Sequence, residues 1–71
     1  MKFSMKKVTV LLADGFEEIE ALTVVDLLRR AKVYVDTVSI TDDYTVRGAH
    51  GIPVQTEDLI TEIDFKESDM I

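Results

Sequence analysis

Val8-Thr9-Val10-Leu11-Leu12-Ala13-Asp14-Gly15-Phe16-Glu17-Glu18-Ile19-Glu20 decides the fold of this chain. A short Val/Leu run, Lys7 to Leu12, reads as a buried strand. Asp14-Gly15 is a turn signal, with Gly15 supplying a positive φ. An acidic triplet then opens a helical pattern over Glu17 to Ala31, which closes on Arg29 and Arg30 as the helix dipole favours. Strand, tight turn and helix start thus fall within thirteen residues. In open α/β sheets, ligands collect where strands end and helices begin.

Beyond the helix, Val33 to Ile40 is a second β-rich run, so a right-handed parallel βαβ unit is expected. Thr41-Asp42-Asp43 reads as a turn. Tyr44–Arg47 and Ile52–Gln55 form a pair of short extended runs joined by Gly48-Ala49-His50-Gly51, the pattern of a β-hairpin, with Gly48 expected at positive φ. Thr56 before Glu57-Asp58-Leu59-Ile60 resembles an N-capped helical turn. Ile63 to Ser68 reads as a loop and Asp69-Met70-Ile71 as the entrance to another strand. A chain stopping there looks cut, with no closing element.

Bulk properties narrow the chemistry. At 71 residues the chain makes at most one small domain, and a domain of that size buries only about 60% of its unfolded surface. It therefore needs a partner or a very well-packed core. With no cysteine, it has no disulfide, thiolate metal site or cysteine nucleophile of its own. The net charge of −6 argues against nucleic acid and anionic membrane as partners. Lys2, Lys6 and Lys7 form a basic cluster at one end, read as solvated. The apolar run Val8–Ala13 is too short for a signal peptide, and Met5 is an alternative start. A cytoplasmic location is the expectation. No glycine-rich nucleotide loop, zinc-hydrolase or serine-hydrolase motif occurs.

On a wheel of about 100° per residue, Ala21, Val24, Val25, Leu27, Leu28 and Ala31 share one broad face. Glu20 falls inside it, between Leu27 and Ala31, whereas Glu18, Asp26 and Arg29 fall outside. A carboxylate at a helix start gains from the dipole, and one facing packed apolar residues loses hydration. Those opposed effects can poise a general acid or base. Read from spacing alone, Glu17, Glu18 and Glu20 are better explained as surface acids compensating the dipole. Ile19 and Leu22 lie off the main stripe, so the helix is apolar on more than one side. Such a helix packs twice, here against the sheet and against another subunit. His50 reads either as an exposed turn histidine or as a site-lining or interface histidine. Asp14, Asp42 and Asp43 read as turn residues rather than metal ligands.

With those residues in view, the chain resembles the ThiJ/PfpI superfamily, also called the DJ-one superfamily. The resemblance is carried by K-K-V-T-V-L-L-A-D-G-F-E-E-I-E-A-L-T-V-V-D-L-L-R-R-A, V-D-T-V-S-I and G-A-H-G-I-P-V, and spans nearly all of the chain from Lys6. It implies an α/β, flavodoxin-like three-layer sandwich, of which residues 1–71 are the N-terminal βαβ unit plus hairpin of a single domain. The nucleophile-bearing part would be absent. A glutamate at the start of the first helix pairs with a cysteine in this superfamily, and by motif that glutamate is Glu20. Gly15, Glu17 and His50 would line the same pocket, His50 also near a dimer contact. Lys32 stands where relatives often carry a helix-ending glycine, and Val24 where many carry proline.

The resemblance implies cysteine-dependent chemistry on small reactive carbonyls, as in glutathione-independent glyoxalases and deglycases, with no metal or organic cofactor. Implied partners are the missing C-terminal half with its cysteine, a second copy in a homodimer, and a small carbonyl substrate. The alternative from another class is a redox-sensing or chaperone dimer without turnover; relatives are also assigned to thiamine pathways or as proteases. A receiver-like signalling domain fits less well. Those carry paired acids at the strand end, and this chain has only Asp14 there.

Overall fold

The computed structural model describes residues 7–63. The lysine cluster apart from Lys7, most of the loop expected over 63–68, and the strand entrance expected at 69–71 lie outside the described residues. Strand β1 (Lys7–Leu12) leads through the Asp14-Gly15 turn into helix α1 (Glu18–Arg30), which returns the chain to strand β2 (Tyr34–Ser39). A hairpin follows, β3 (Thr45–Arg47) with β4 (Pro53–Gln55), then a two-residue strand β5 (Asp58–Leu59) and a single 3-10 turn (Ile60–Glu62).

β1 and β2 pair in parallel from Lys7↔Tyr34 to Leu12↔Ser39. β5 joins the far side of β2, also in parallel, giving the order β1-β2-β5. This is the expected α/β arrangement, with one helix laid on a parallel sheet. β3 and β4 form a separate antiparallel ribbon. The core lies between sheet and helix: Val8, Val25 and Val35 are buried together, with Val10, Leu28 and Val33 packed against them. Alternate residues of both strands thus supply one face, and α1 answers with residues three apart on its own face.

The last turn of α1 is tied down twice. Arg29 donates to the Val35 carbonyl at 3.1 Å and pairs with Glu57. Glu57 in turn accepts from the Thr37 hydroxyl at 3.3 Å. The helix then ends in a Schellman motif: the amide of Lys32 donates to the Arg29 carbonyl and that of Val33 to the Leu28 carbonyl, both at 3.0 Å. Lys32 occupies the left-handed position of that motif at φ 66°, where glycine would be unstrained.

Three expectations are corrected. Thr56 caps no helix; its hydroxyl donates to the Tyr44 carbonyl at 2.7 Å, and Asp58–Leu59 is a strand because pairing with Val38 and Ser39 overrides the local capping pattern. Gly48 is not at positive φ; Gly15 (φ 90°) and Gly51 (φ 80°) are. Glu18, placed by the wheel outside the apolar face, is only 4% exposed. Conversely, much of the expected double packing of α1 is open among the described residues, with Ile19, Val24 and Leu27 exposed.

Candidate functional site

The site is built where β1 ends, α1 begins and the hairpin folds back. The Ala13 carbonyl accepts from the Phe16 amide at 3.1 Å, closing a turn that requires the positive φ of Gly15. Asp14 does more than turn the chain. Its Oδ1 accepts from the Arg47 amide at 3.0 Å, while the Gly15 amide donates to the Arg47 carbonyl at 2.8 Å. The Ala49 amide donates to the Phe16 carbonyl at 2.7 Å. The hairpin is thereby stitched to the strand-to-helix turn.

Glu18 is the anchor of this junction. Its Oε2 accepts from the amides of His50 (2.8 Å) and Ile52 (3.3 Å), and its Oε1 lies 2.8 Å from His50 Nδ1. Burial opposes the charge on Glu18, yet the hydrogen bonds from the His50 ring and from backbone amides outweigh it and bring its carboxyl down to about 2. His50 responds in the opposite sense. The hydrogen bond to Glu18, then the charges of Glu18 and Glu17, raise its pKa against a smaller desolvation effect. The ring is therefore a donor from Nδ1 whenever Glu18 is ionised.

Gly48 explains how the carboxylate fits. A Cβ built there would overlap the Glu18 side chain, so this glycine serves close approach rather than an unusual backbone angle. Of the residues proposed from sequence, Glu17 and His50 come together, Glu17 Oε1 lying 3.5 Å from His50 Nδ1. Glu17 is the N-cap of α1, but its side chain makes no capping hydrogen bond. Gly15 borders the same junction from the β1 side. Glu20 lies in the first turn of α1 and is exposed, and within residues 7–63 it is not part of the Glu17–Glu18–His50 group.

Glu18 is the residue that sequence reasoning missed. A helical wheel ranks positions by neighbours on the same helix, and what buries Glu18 arrives from thirty-two residues away. The available signal was Gly48: a glycine two residues before a histidine, in a hairpin that does not need its positive φ, marks a close neighbour. Among the described residues no helix is long and apolar enough to cross a membrane.

Similarity to known proteins converges on one group. Residues 6–71 match the sequence pattern of the DJ-1/PfpI family. Protein DJ-1 homolog B of Arabidopsis thaliana is 34% identical over 71 residues, which is 100% of this chain and 16% of that protein. Among solved structures, a DJ-1 superfamily protein from Salmonella typhimurium superposes with a TM-score of 0.80 at 43% identity, covering 82% of this chain and 31% of that one. The oxidized DJ-1 of Toxoplasma gondii gives a TM-score of 0.77 at 41% identity, covering 79% of this chain and 30% of that one. The chain spans about a sixth of the curated relative and about a third of the solved ones. Its parallel sheet with one crossover helix is the flavodoxin-like frame of these neighbours. This chain belongs to the DJ-1/PfpI family.

Proposed function

We propose that residues 1–71 are the N-terminal portion of a single-domain, cysteine-dependent enzyme acting on small reactive carbonyls of the methylglyoxal type. Glu20 is its acid/base residue, and the cysteine comes from the C-terminal part. The observation that supports this reading is the placement of Glu20: an exposed carboxylate in the first turn of α1, just beyond the C-terminal end of β1. That is the edge where α/β sheets carry their ligands. Its openness leaves room for a group from elsewhere to sit against it.

In this mechanism the cysteine thiolate attacks the aldehyde carbon, giving a hemithioacetal. Glu20 then removes the proton from that carbon and, through an enediol, returns it to the neighbouring carbon, giving a thioester of the 2-hydroxy acid; water cleaves the carbon–sulfur bond, releasing the acid and regenerating the thiol. Gly15, Glu17 and His50 line the approach, with His50 held by Glu18 rather than free to turn. No cofactor is called on. The cytoplasm is the proposed location. A homodimer is the proposed assembly, favoured by the mainly apolar trough lined by Ile19, Leu22 and Ile52 together with Glu18, Thr23 and Asp26.

The experiment is methylglyoxal consumption by the complete protein. Glu20→Gln is expected to lower turnover by roughly a hundredfold or more while leaving the fold intact. Unchanged turnover removes Glu20 from the mechanism. Intact mass of the native sample tests the two-part reading: a single 8.0 kDa species with full activity would refute it.

A second reading, a redox-sensing dimer without turnover, draws on one relative having been solved in an oxidized form. It expects reversible oxidation of the complete protein and no carbonyl consumption.

A further inference from the structure

The Glu17–Glu18–His50 group has a geometry that goes beyond lining the approach to Glu20. We propose that Glu17, Glu18 and His50 bind one divalent cation of the borderline first-row class, such as zinc or cobalt. Its ligands are Glu17 Oε1, Glu18 Oε1 and His50 Nδ1.

The first argument is spacing. One ligand atom from each residue lies within 4.8 Å of the other two. His50 Nδ1 is 2.8 Å from Glu18 Oε1 and 3.5 Å from Glu17 Oε1. Donors held about 2.0–2.1 Å from a zinc-like ion stand about 2.9 Å apart at octahedral angles and about 3.4 Å apart at tetrahedral angles. Both separations lie close to these values, so His50 Nδ1 and each carboxylate oxygen stand at a spacing that a single cation can bridge.

The second argument is preorganisation. Glu18 Oε2 is committed to the amides of His50 and Ile52, which aims Oε1 at the imidazole. An outer partner that fixes a ligating carboxylate in this way is a regular component of metal sites. Glu18 is buried, while the Glu17 and His50 side chains are 53% and 69% exposed. Solvent can therefore deliver the ion, and water can complete its coordination.

The third argument is charge. The N-terminus of α1 carries about half a positive charge, which disfavours a cation. Glu17 and Glu18 bring two full negative charges to the same turn, so the local balance favours the ion. An imidazole plus two carboxylates is a mixed nitrogen and oxygen donor set suited to zinc or cobalt rather than to calcium. On binding, Nδ1 gives up its proton to solvent, the ring keeps its proton on Nε2, and the metal takes the place of the Nδ1 hydrogen between the two carboxylates.

His50 is the single histidine among residues 1–71. Zinc chloride is titrated into the complete protein while the ring nitrogens of His50, assigned by their loss in His50→Ala, are followed by long-range proton–nitrogen NMR. The expected result is saturation at one equivalent with the large shift on Nδ1. Glu18→Ala could disturb folding, so the decisive variants are the exposed positions. Glu17→Gln is expected to weaken zinc binding by roughly tenfold or more, and His50→Ala to abolish it, with amide spectra otherwise unchanged. Asp42→Asn, an exposed acid in the β2–β3 connection, is expected to leave the affinity unaltered. A shift confined to Nε2, an unchanged affinity in Glu17→Gln, or no saturation below about 1 mM zinc each overturns the proposal.

Discussion

Glu18 and His50 meet at 2.8 Å, joining the first turn of α1 to a hairpin tip thirty-two residues further along the chain. One carboxylate answers three donors from that tip: the His50 ring, the His50 amide and the Ile52 amide. Removing it leaves two backbone amides without an acceptor in a part-buried place, the costly half of losing a hydrogen bond. Glu18→Ala is expected to release the hairpin locally, with the His50 and Ile52 amides exchanging roughly tenfold faster or more, while β1 and β2 keep their protection. Hydrogen exchange read residue by residue checks this.

The same pair sets a pH window. His50 has its pKa raised above 6.5 in the folded state, so its contribution is complete below 6.5 and fades as pH climbs through the raised value. Glu18 is lowered from 4.5 to about 2, so its contribution is complete above 4.5 and fades as pH falls toward 2. The stability difference between wild type and His50→Ala is therefore expected to be largest between pH 4.5 and 6.5 and to shrink on both sides. Thermal melts of both proteins across pH 2 to 9 measure it.

Asp36 carries the opposite sign. It is 4% exposed in the middle of β2. Burial first, then a hydrogen bond to Asp58 and the charges of Asp58 and Glu57, lift its carboxyl from 3.8 to about 6, with Lys7 opposing. The folded chain thus holds this proton more tightly than the unfolded chain, and stability drops as pH rises from 3.8 to about 6. Asp36→Asn keeps a donor for Asp58 and removes the ionisation. It is expected to be more stable than wild type at pH 7 and to lose its share of the slope between pH 4 and 6. Denaturant melts at several pH values decide the matter.

Glycines 48 and 51 are expected to fail differently. Gly51→Ala meets open space but sits at φ 80°, a strain of about 1–2 kcal/mol. Gly48→Ala instead drives a methyl group into the Glu18 carboxylate. Combined with Glu18→Ala, its effect is expected to be clearly less than additive, whereas Gly51→Ala should add to Glu18→Ala more nearly independently. A double-mutant cycle in denaturant separates the two.

Lys32→Gly is expected to stabilise. Lys32 sits at φ 66° in the Schellman motif, a strain of about 1–2 kcal/mol that glycine does not feel. Part of that gain is returned because glycine gives the unfolded chain more freedom. A net rise of about 1 kcal/mol in unfolding free energy is the expected result.

The expectation about Lys32 and the flavodoxin-like sandwich came from the resemblance, and the βαβ unit with its hairpin came from the residues themselves. The Val-rich runs of β1 and β2, the Asp14-Gly15 turn and the acid-to-base polarity of α1 each state one element, and their order states the parallel pairing. The hairpin was legible because His50 and its small neighbours interrupt two extended runs. Where local pattern and distant pairing compete, the pattern misleads: Thr56 looks like a cap, but Asp58 finds Val38 and becomes strand. The candidate site divides along the same line. Glu17 and His50 could be nominated by position in the chain. Glu18 could not, because its burial is a property of the hairpin docking on the helix, not of the helix.

That docking is made mostly through peptide groups. Asp14, Gly15, Phe16 and Glu18 hold the hairpin by the amides of Arg47, Ala49, His50 and Ile52 and by the carbonyl of Arg47. Every residue type except proline offers those same atoms. Side chains at 47, 49 and 52 can therefore be exchanged while the loop keeps its station, so the surface presented at this junction can change without the framework being rebuilt.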